Sequence, residues 1–129
     1  MIRLLTLVAV AISLLSFYIV FSAGKAEEGA KEPKTITILS EPVDPACYIS
    51  KGLKGEGHKA CAMACHKAGQ SLALLSDDGS LFFTLEGEPG TSPDEKLVPF
   101  IGTKVKVTGK VFESGGAKGM VVEKVEPVK

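Results

Sequence analysis

The sequence predicts a mainly β domain whose five strands close into a small barrel, and three observations carry that reading. Stretches of strict polar and apolar alternation recur after residue 34, the pattern of strands with one buried face. Asp77, Asp78 and Gly79 lie between two apolar runs, and Asp and Gly are the residues that tolerate a tight hairpin backbone. The remaining runs are separated by Gly- and Pro-containing breaks rather than by long helical stretches.

Taken in order, residues 35–39 (TITIL) alternate and form the first strand. Residues 71–75 and 80–85 are the two arms of the hairpin around Asp78-Gly79. Ser92 followed by Asp94 and Glu95 gives a capped start to a short helix, which Pro99 and Gly102 hold to one or two turns. Residues 104–112 alternate strictly, with Gly109 marking a bulge or bend. Ser114, Gly115 and Gly116 turn the chain into a last strand running from Met120 through Val125. Three strands, a short helix and two strands in about 95 residues is the order of an oligonucleotide/oligosaccharide-binding (OB) barrel. The first connection, residues 41–70, is greatly enlarged and carries all three cysteines and both histidines. A five-stranded meander with one packed helix is the competing architecture.

Residues 1–24 carry one charge, Arg3, followed by an apolar run over residues 4–21 broken only by Thr6, Ser13 and Ser16. A positive start and an apolar middle predict an export signal peptide. The run is also nearly long enough to be retained as a membrane anchor. Residues 25–34 switch to Lys, Glu, Gly and Ala without apolar periodicity and read as a flexible linker, leaving 35–129 as the OB-like domain. The expected location is therefore periplasmic or otherwise extracytoplasmic. Fifteen basic residues balance fifteen acidic ones, and loss of Arg3 with the leader leaves a charge of about −1, so no basic field marks a nucleic-acid binder. Only Tyr48, Phe82, Phe83, Phe100 and Phe112 are aromatic beyond the leader, and one of the Phe82-Phe83 pair must face inward. No nucleophile elbow, zincin helix or phosphate-cradling loop is present, so the expectation is a non-enzymatic protein.

The chemistry concentrates in the first loop. His58, Cys61 and Cys65 are spaced so that a helix puts them within about 60° of one another on one stripe. Ala60 and Ala64 join the cysteines in a small-residue face suited to lie against the sheet, and Gly69 fits the position after the last helical turn. Cys47 lies upstream beside Pro45 and could fold over as a fourth group; Asp44-Pro45 itself reads as the turn that fixes the loop entrance. Three sulfurs and one imidazole match a closed tetrahedral site for a Zn or Cu ion. Lys51, Lys54, Lys59 and Lys67 against Glu56 predict lowered thiol pKa values.

The alternative is a disulfide from Cys47 to Cys61 or Cys65, leaving one thiol over and stapling an interaction or accessory module that meets a protein partner at the membrane. Closing such a loop stabilises by about 3 kcal/mol. A third reading takes Cys61-x3-Cys65-His66 as a lengthened variant of the c-type haem signature, with Met63, Met120 or His58 as the distal ligand.

The run of Asp44, Cys47-Tyr48, Gly52, Gly55, His58-x2-Cys61-x3-Cys65 and Gly69, followed by Leu74-Leu75 and Asp78-Gly79, resembles small exported bacterial proteins of the OB type. Residues 102–113, with alternating Val105, Val107 and Val111 around Gly109, resemble the same group, so the likeness spans residues 43–125. It implies the fold, export and a cysteine loop built into the domain, and it implies no particular reaction.

Overall fold

The structure is a computed structural model and describes residues 32–128. The expected signal or anchor segment, and all of the linker before residue 32, lie outside the described residues. Among the described residues no helix is long and apolar enough to cross a membrane.

Five strands form the frame: β1 (Lys34–Val43), β2 (Ala73–Ser76), β3 (Leu81–Thr84), β4 (Val105–Ser114) and β5 (Ala117–Pro127). They close into a mixed barrel in the order β1-β2-β3-β5-β4, with β4 returning to β1. Every pairing is antiparallel except β3 with β5. This is the OB-like barrel the element order predicts. β1 takes in Lys34, one residue from the expected linker. Two α-helices, α1 (Pro45–Lys51) and α2 (Lys59–Lys67), both lie in the β1–β2 connection, and the first was not foreseen.

The alternation in the sequence becomes a two-sided sheet. Val105 and Val107 are fully buried while Lys106 and Lys110 face solvent. Phe82 points into the core and Phe83 out of it, as a two-residue period requires. Leu72, Leu74, Leu97, Ile101, Met120 and Val122 complete the interior. The expected helix before β4 is not α-helical. Residues 93–97 form turns, and a single 3-10 turn, Val98–Phe100, follows with Pro99 inside it rather than after it. Proline lacks the N–H that a longer helix needs but is tolerated in a first turn. Asp94 anchors this segment from within: its buried carboxylate accepts the Leu72 N–H at 3.1 Å and the Thr84 hydroxyl at 2.5 Å.

β4 and β5 slip by one residue between Thr108 and Gly109, the bulge that Gly109 predicts. A Cβ at Gly109 would lie 2.3 Å from the Val121 carbonyl oxygen and 2.8 Å from Met120 Cγ, so the strands approach closely only because this residue has no side chain. Gly109→Ala is expected to destabilise the barrel by about 2–3 kcal/mol in urea unfolding. Gly57→Ala, where an added Cβ meets nothing within 4 Å, is expected to change stability by less than about 0.5 kcal/mol.

Candidate metal centre

Asp44 ends β1 and begins α1. Its Oδ1 accepts the backbone N–H of Ala46 at 2.8 Å and of Cys47 at 3.2 Å, and Pro45 fills the first helical position, where no N–H is needed. Cys47 is thereby fixed in the first turn of α1. The chain leaves that helix at Gly52 and is caught again at Gly55, whose N–H donates to the Glu41 carboxylate. Gly102 packs against the Gly55 carbonyl so closely that a Cβ there would come to 2.8 Å, which ties the loop to the barrel rim. A 3-10 turn, Glu56–His58, follows, and the His58 N–H donates to the Gly55 carbonyl at 3.0 Å. α2 then carries Cys61 and Cys65 one turn apart.

α2 stops at a left-handed Gly69 (φ 102°), the conformation a glycine adopts without penalty. The Gly69 N–H reaches the His66 carbonyl at 2.9 Å and the Gln70 N–H reaches that of Cys65 at 3.0 Å, a Schellman close. The face of α2 that meets the barrel is set by Ala62, which is buried in the core with Met63 packed beside it. This corrects the expected face, since Ala60 and Ala64 are exposed. Helical spacing defines stripes but leaves the choice of stripe to packing, and Ala62 with Met63 offers more apolar contact to the core. The cysteine stripe is left to meet α1.

The Sγ atoms of Cys47, Cys61 and Cys65 lie within 4.8 Å of one another, and all three residues are thiols. Three points so related always admit a position within about 2.8 Å of each, against about 2.3 Å for a zinc–thiolate bond, so small side-chain rotations close the shell. A second group overlaps the first: an Asp44 oxygen, Cys47 Sγ and a His58 ring nitrogen are also mutually within 4.8 Å. Cys47 is the shared member. His58 Nε2 is buried and has no hydrogen-bond partner. Buried polar atoms are rarely left so, because losing water without a replacement is costly. The three cysteines thus gather in one cluster, while His58 falls in the other and is joined to the first only through Cys47.

Electrostatically the cluster differs from the expectation. Desolvation raises the Cys47 thiol first, and the neighbouring Asp44 carboxylate adds to it. Cys65 is pushed up to about 11, chiefly by its hydrogen bond to Asp44, then by burial and by the charge of Asp44. Burial also pushes Asp44 up, but the Cys47 N–H, the Cys65 and Cys47 thiols and the Ala46 N–H together outweigh it and hold the carboxyl below its ordinary value. The lysines counted along the sequence therefore do not set the thiol state; Lys51 lowers Cys47 only as the smallest of its influences.

Asp44 is the participant that sequence reasoning missed. It fixes the loop entrance, as its place before Pro45 predicts, but its carboxylate also lies within the cluster. The signal was present, since Asp-Pro is an N-cap followed by a first-position proline, and such a cap faces the third helical residue, here Cys47. Of the three distal candidates in the haem reading, His58 remains and the two methionines are taken up by packing. Met120 is fully buried in the barrel and Met63 packs on the core, so neither is free to be a distal ligand. His66 stands apart from both clusters, its Nδ1 3.0 Å from the Gln70 carbonyl oxygen and 3.6 Å from Asp94 Oδ2. Tyr48 packs with Val43, Ala73 and Leu75 in a small apolar cluster.

Comparison with protein-family models, with curated proteins and with solved structures gives no match. No family is identified, and what stands is a small OB-like barrel whose first loop gathers Cys, His and Asp side chains.

The raised thiols have a measurable consequence in the reduced, metal-free protein. A thiol held above its unfolded value favours the fold while protonated, so its contribution is intact below the unfolded thiol range and is lost as pH rises through about 11. Alkylation of Cys65 is expected to keep accelerating from pH 8 to beyond pH 10, and Asp44→Asn is expected to move its midpoint downward. Asp44 works in the opposite direction: its contribution is present above its unfolded value and disappears as pH falls through its lowered folded one. Mass-spectrometric alkylation kinetics and acid unfolding read the two effects separately.

Proposed function

We propose that this protein is a non-enzymatic metal-binding module that holds one soft d10 ion, Zn(II) or Cu(I), through Cys47, Cys61 and Cys65, with His58 as the fourth ligand. The observation that carries this reading is a buried His58 Nε2 with no hydrogen-bond partner, on a residue whose ring reaches the same Cys47 that converges with the other two sulfurs. A metal supplies what that nitrogen lacks, and three thiolates with one imidazole are the donor set such ions prefer. Metal binding displaces the thiol protons, so affinity rises with pH across the neutral range. Asp44 then becomes an outer carboxylate that orients Cys47, and Lys51, Lys54 and Lys59 offset the negative charge that three thiolates bring.

Export fits the same reading. The apolar segment at residues 4–21 would deliver the domain to an extracytoplasmic compartment, with the OB-like barrel as a rigid stand for the loop. In that compartment the ion would have to be bound before the thiols are oxidised.

Titration of the reduced protein with Zn(II) or Cu(I), followed by native mass spectrometry, is expected to give one ion per chain. Cys47→Ser should lose binding altogether, because it removes the ligand common to both clusters. His58→Ala should retain binding but weaken it by about tenfold or more. At a free-ion concentration of about 100 times Kd, the wild-type protein should gain about 2.7 kcal/mol of stability that Cys47→Ser does not. Binding of equal strength in Cys47→Ser would contradict the assignment.

A further inference from the structure

The three sulfurs are close to one another but not equivalent, and their differences suggest a chemistry beyond holding an ion. Cys61 is exposed, whereas Cys47 and Cys65 are half-buried. Cys61 and Cys65 lie four residues apart on α2, where Cβ atoms are about 5–6 Å apart; a disulfide needs about 3.5–4.5 Å. Cys47 belongs to a different helix, α1, and no helical geometry fixes its distance from Cys61. α1 is only two turns long; Pro45 is buried at its start and Tyr48 packs on the small apolar cluster, while Ile49 is exposed. The Cys47 and Cys61 sulfurs already lie within 4.8 Å of each other from two separate helices, so rotation of the two side chains is the movement that bond formation requires.

We propose that the cluster is a disulfide-reactive switch, with Cys61 as the thiol that receives a small external disulfide and Cys47 as the thiol that resolves it. The Cys61 thiolate attacks one sulfur of the external disulfide; a Cys61 mixed disulfide forms, the external S–S bond breaks, and the first external thiolate leaves. The Cys47 thiolate then attacks the Cys61 sulfur, forming a Cys47–Cys61 bond and expelling the second external thiolate. Two protein thiols are oxidised by two electrons, one external disulfide is reduced to two thiols, and the two protons lost by the cysteines go to the leaving thiolates. Cys65 takes no part in the exchange. The consequence for the ion rests on the metal reading above: oxidation removes two of the three sulfur ligands, so the ion leaves.

The test uses the full chain, reduced, in metal-free and zinc-loaded forms, each exposed to oxidised glutathione. Peptide mapping under non-reducing conditions locates the bond, and a chromophoric chelator follows zinc. The metal-free form is expected to lose two hydrogens and show a Cys47–Cys61 crosslink, preceded by a glutathione adduct on Cys61. Cys61→Ser should slow crosslinking at least tenfold, and Cys65→Ser should leave the Cys47–Cys61 bond intact. The zinc-loaded form should release one ion per crosslink. A bond between Cys47 and Cys65 or between Cys61 and Cys65, or a first adduct on Cys47, overturns the assignment, as does a persistent Cys61 adduct that Cys47 never resolves. These outcomes are read on the wild-type chain and need no variant to fold. Failure of the metal reading is distinct, because it shows as absence of bound zinc before any glutathione is added.

Discussion

The Asp44 carboxylate is the point on which the loop's arrangement turns. It lies where β1 stops, and it takes the backbone N–H groups of Ala46 and Cys47, so it decides both that α1 starts here and how Cys47 is presented. The same group accepts from the Cys47 and Cys65 thiols and lies within reach of His58. One buried anion therefore links the helix carrying the first sulfur to the helix carrying the third. Without it, α1 would lose its cap, worth about 1 kcal/mol, and the two halves of the cluster would lose their common partner.

The barrel's contribution is to hold the two ends of that loop still. Pairing of Pro42 and Val43 with Leu74 and Ala73 brings the end of β1 beside the start of β2, so the whole intervening segment must fold back over a short gap. Glu41 grips Gly55 from one side and Gly102 crowds it from the other, fixing the turn that delivers His58. Ala62 lets α2 sit close on the core, because a larger residue would lift the helix and carry Cys61 and Cys65 away from Cys47. Structure and chemistry meet in a small set of contacts at the rim of the barrel, none of which belongs to the barrel's own hydrogen-bonded ladder.

Much of the frame was legible in the sequence because strands announce themselves by period and hairpins by turn residues. Residues 104–112 could hardly be anything but a strand, and Gly109 marked its own bulge. The spacing of His58, Cys61 and Cys65 put Cys61 and Cys65 on neighbouring turns of a single helix, although His58 sits just before α2, in the 3-10 turn. What local reading could not supply was contact across the fold. The approach of Cys47 to α2 depends on where β1 ends and how α1 is capped, neither of which is a matter of periodicity. The same gap reversed the expected thiol behaviour, since four lysines are visible in a row of letters while one carboxylate folded against two thiols is not. The choice of Ala62 over Ala60 and Ala64 as the buried face was likewise a packing decision. The apolar run at residues 4–21 stays a sequence-level expectation, outside the described residues.

The central claim is that three sulfurs and one imidazole close around a single ion, and X-ray absorption at the metal edge of the reconstituted zinc protein tests it most directly. The account predicts a four-coordinate shell of three sulfurs at about 2.3 Å and one nitrogen at about 2.0–2.1 Å. A shell made only of oxygen and nitrogen, or one holding fewer than three sulfurs per ion, would contradict it.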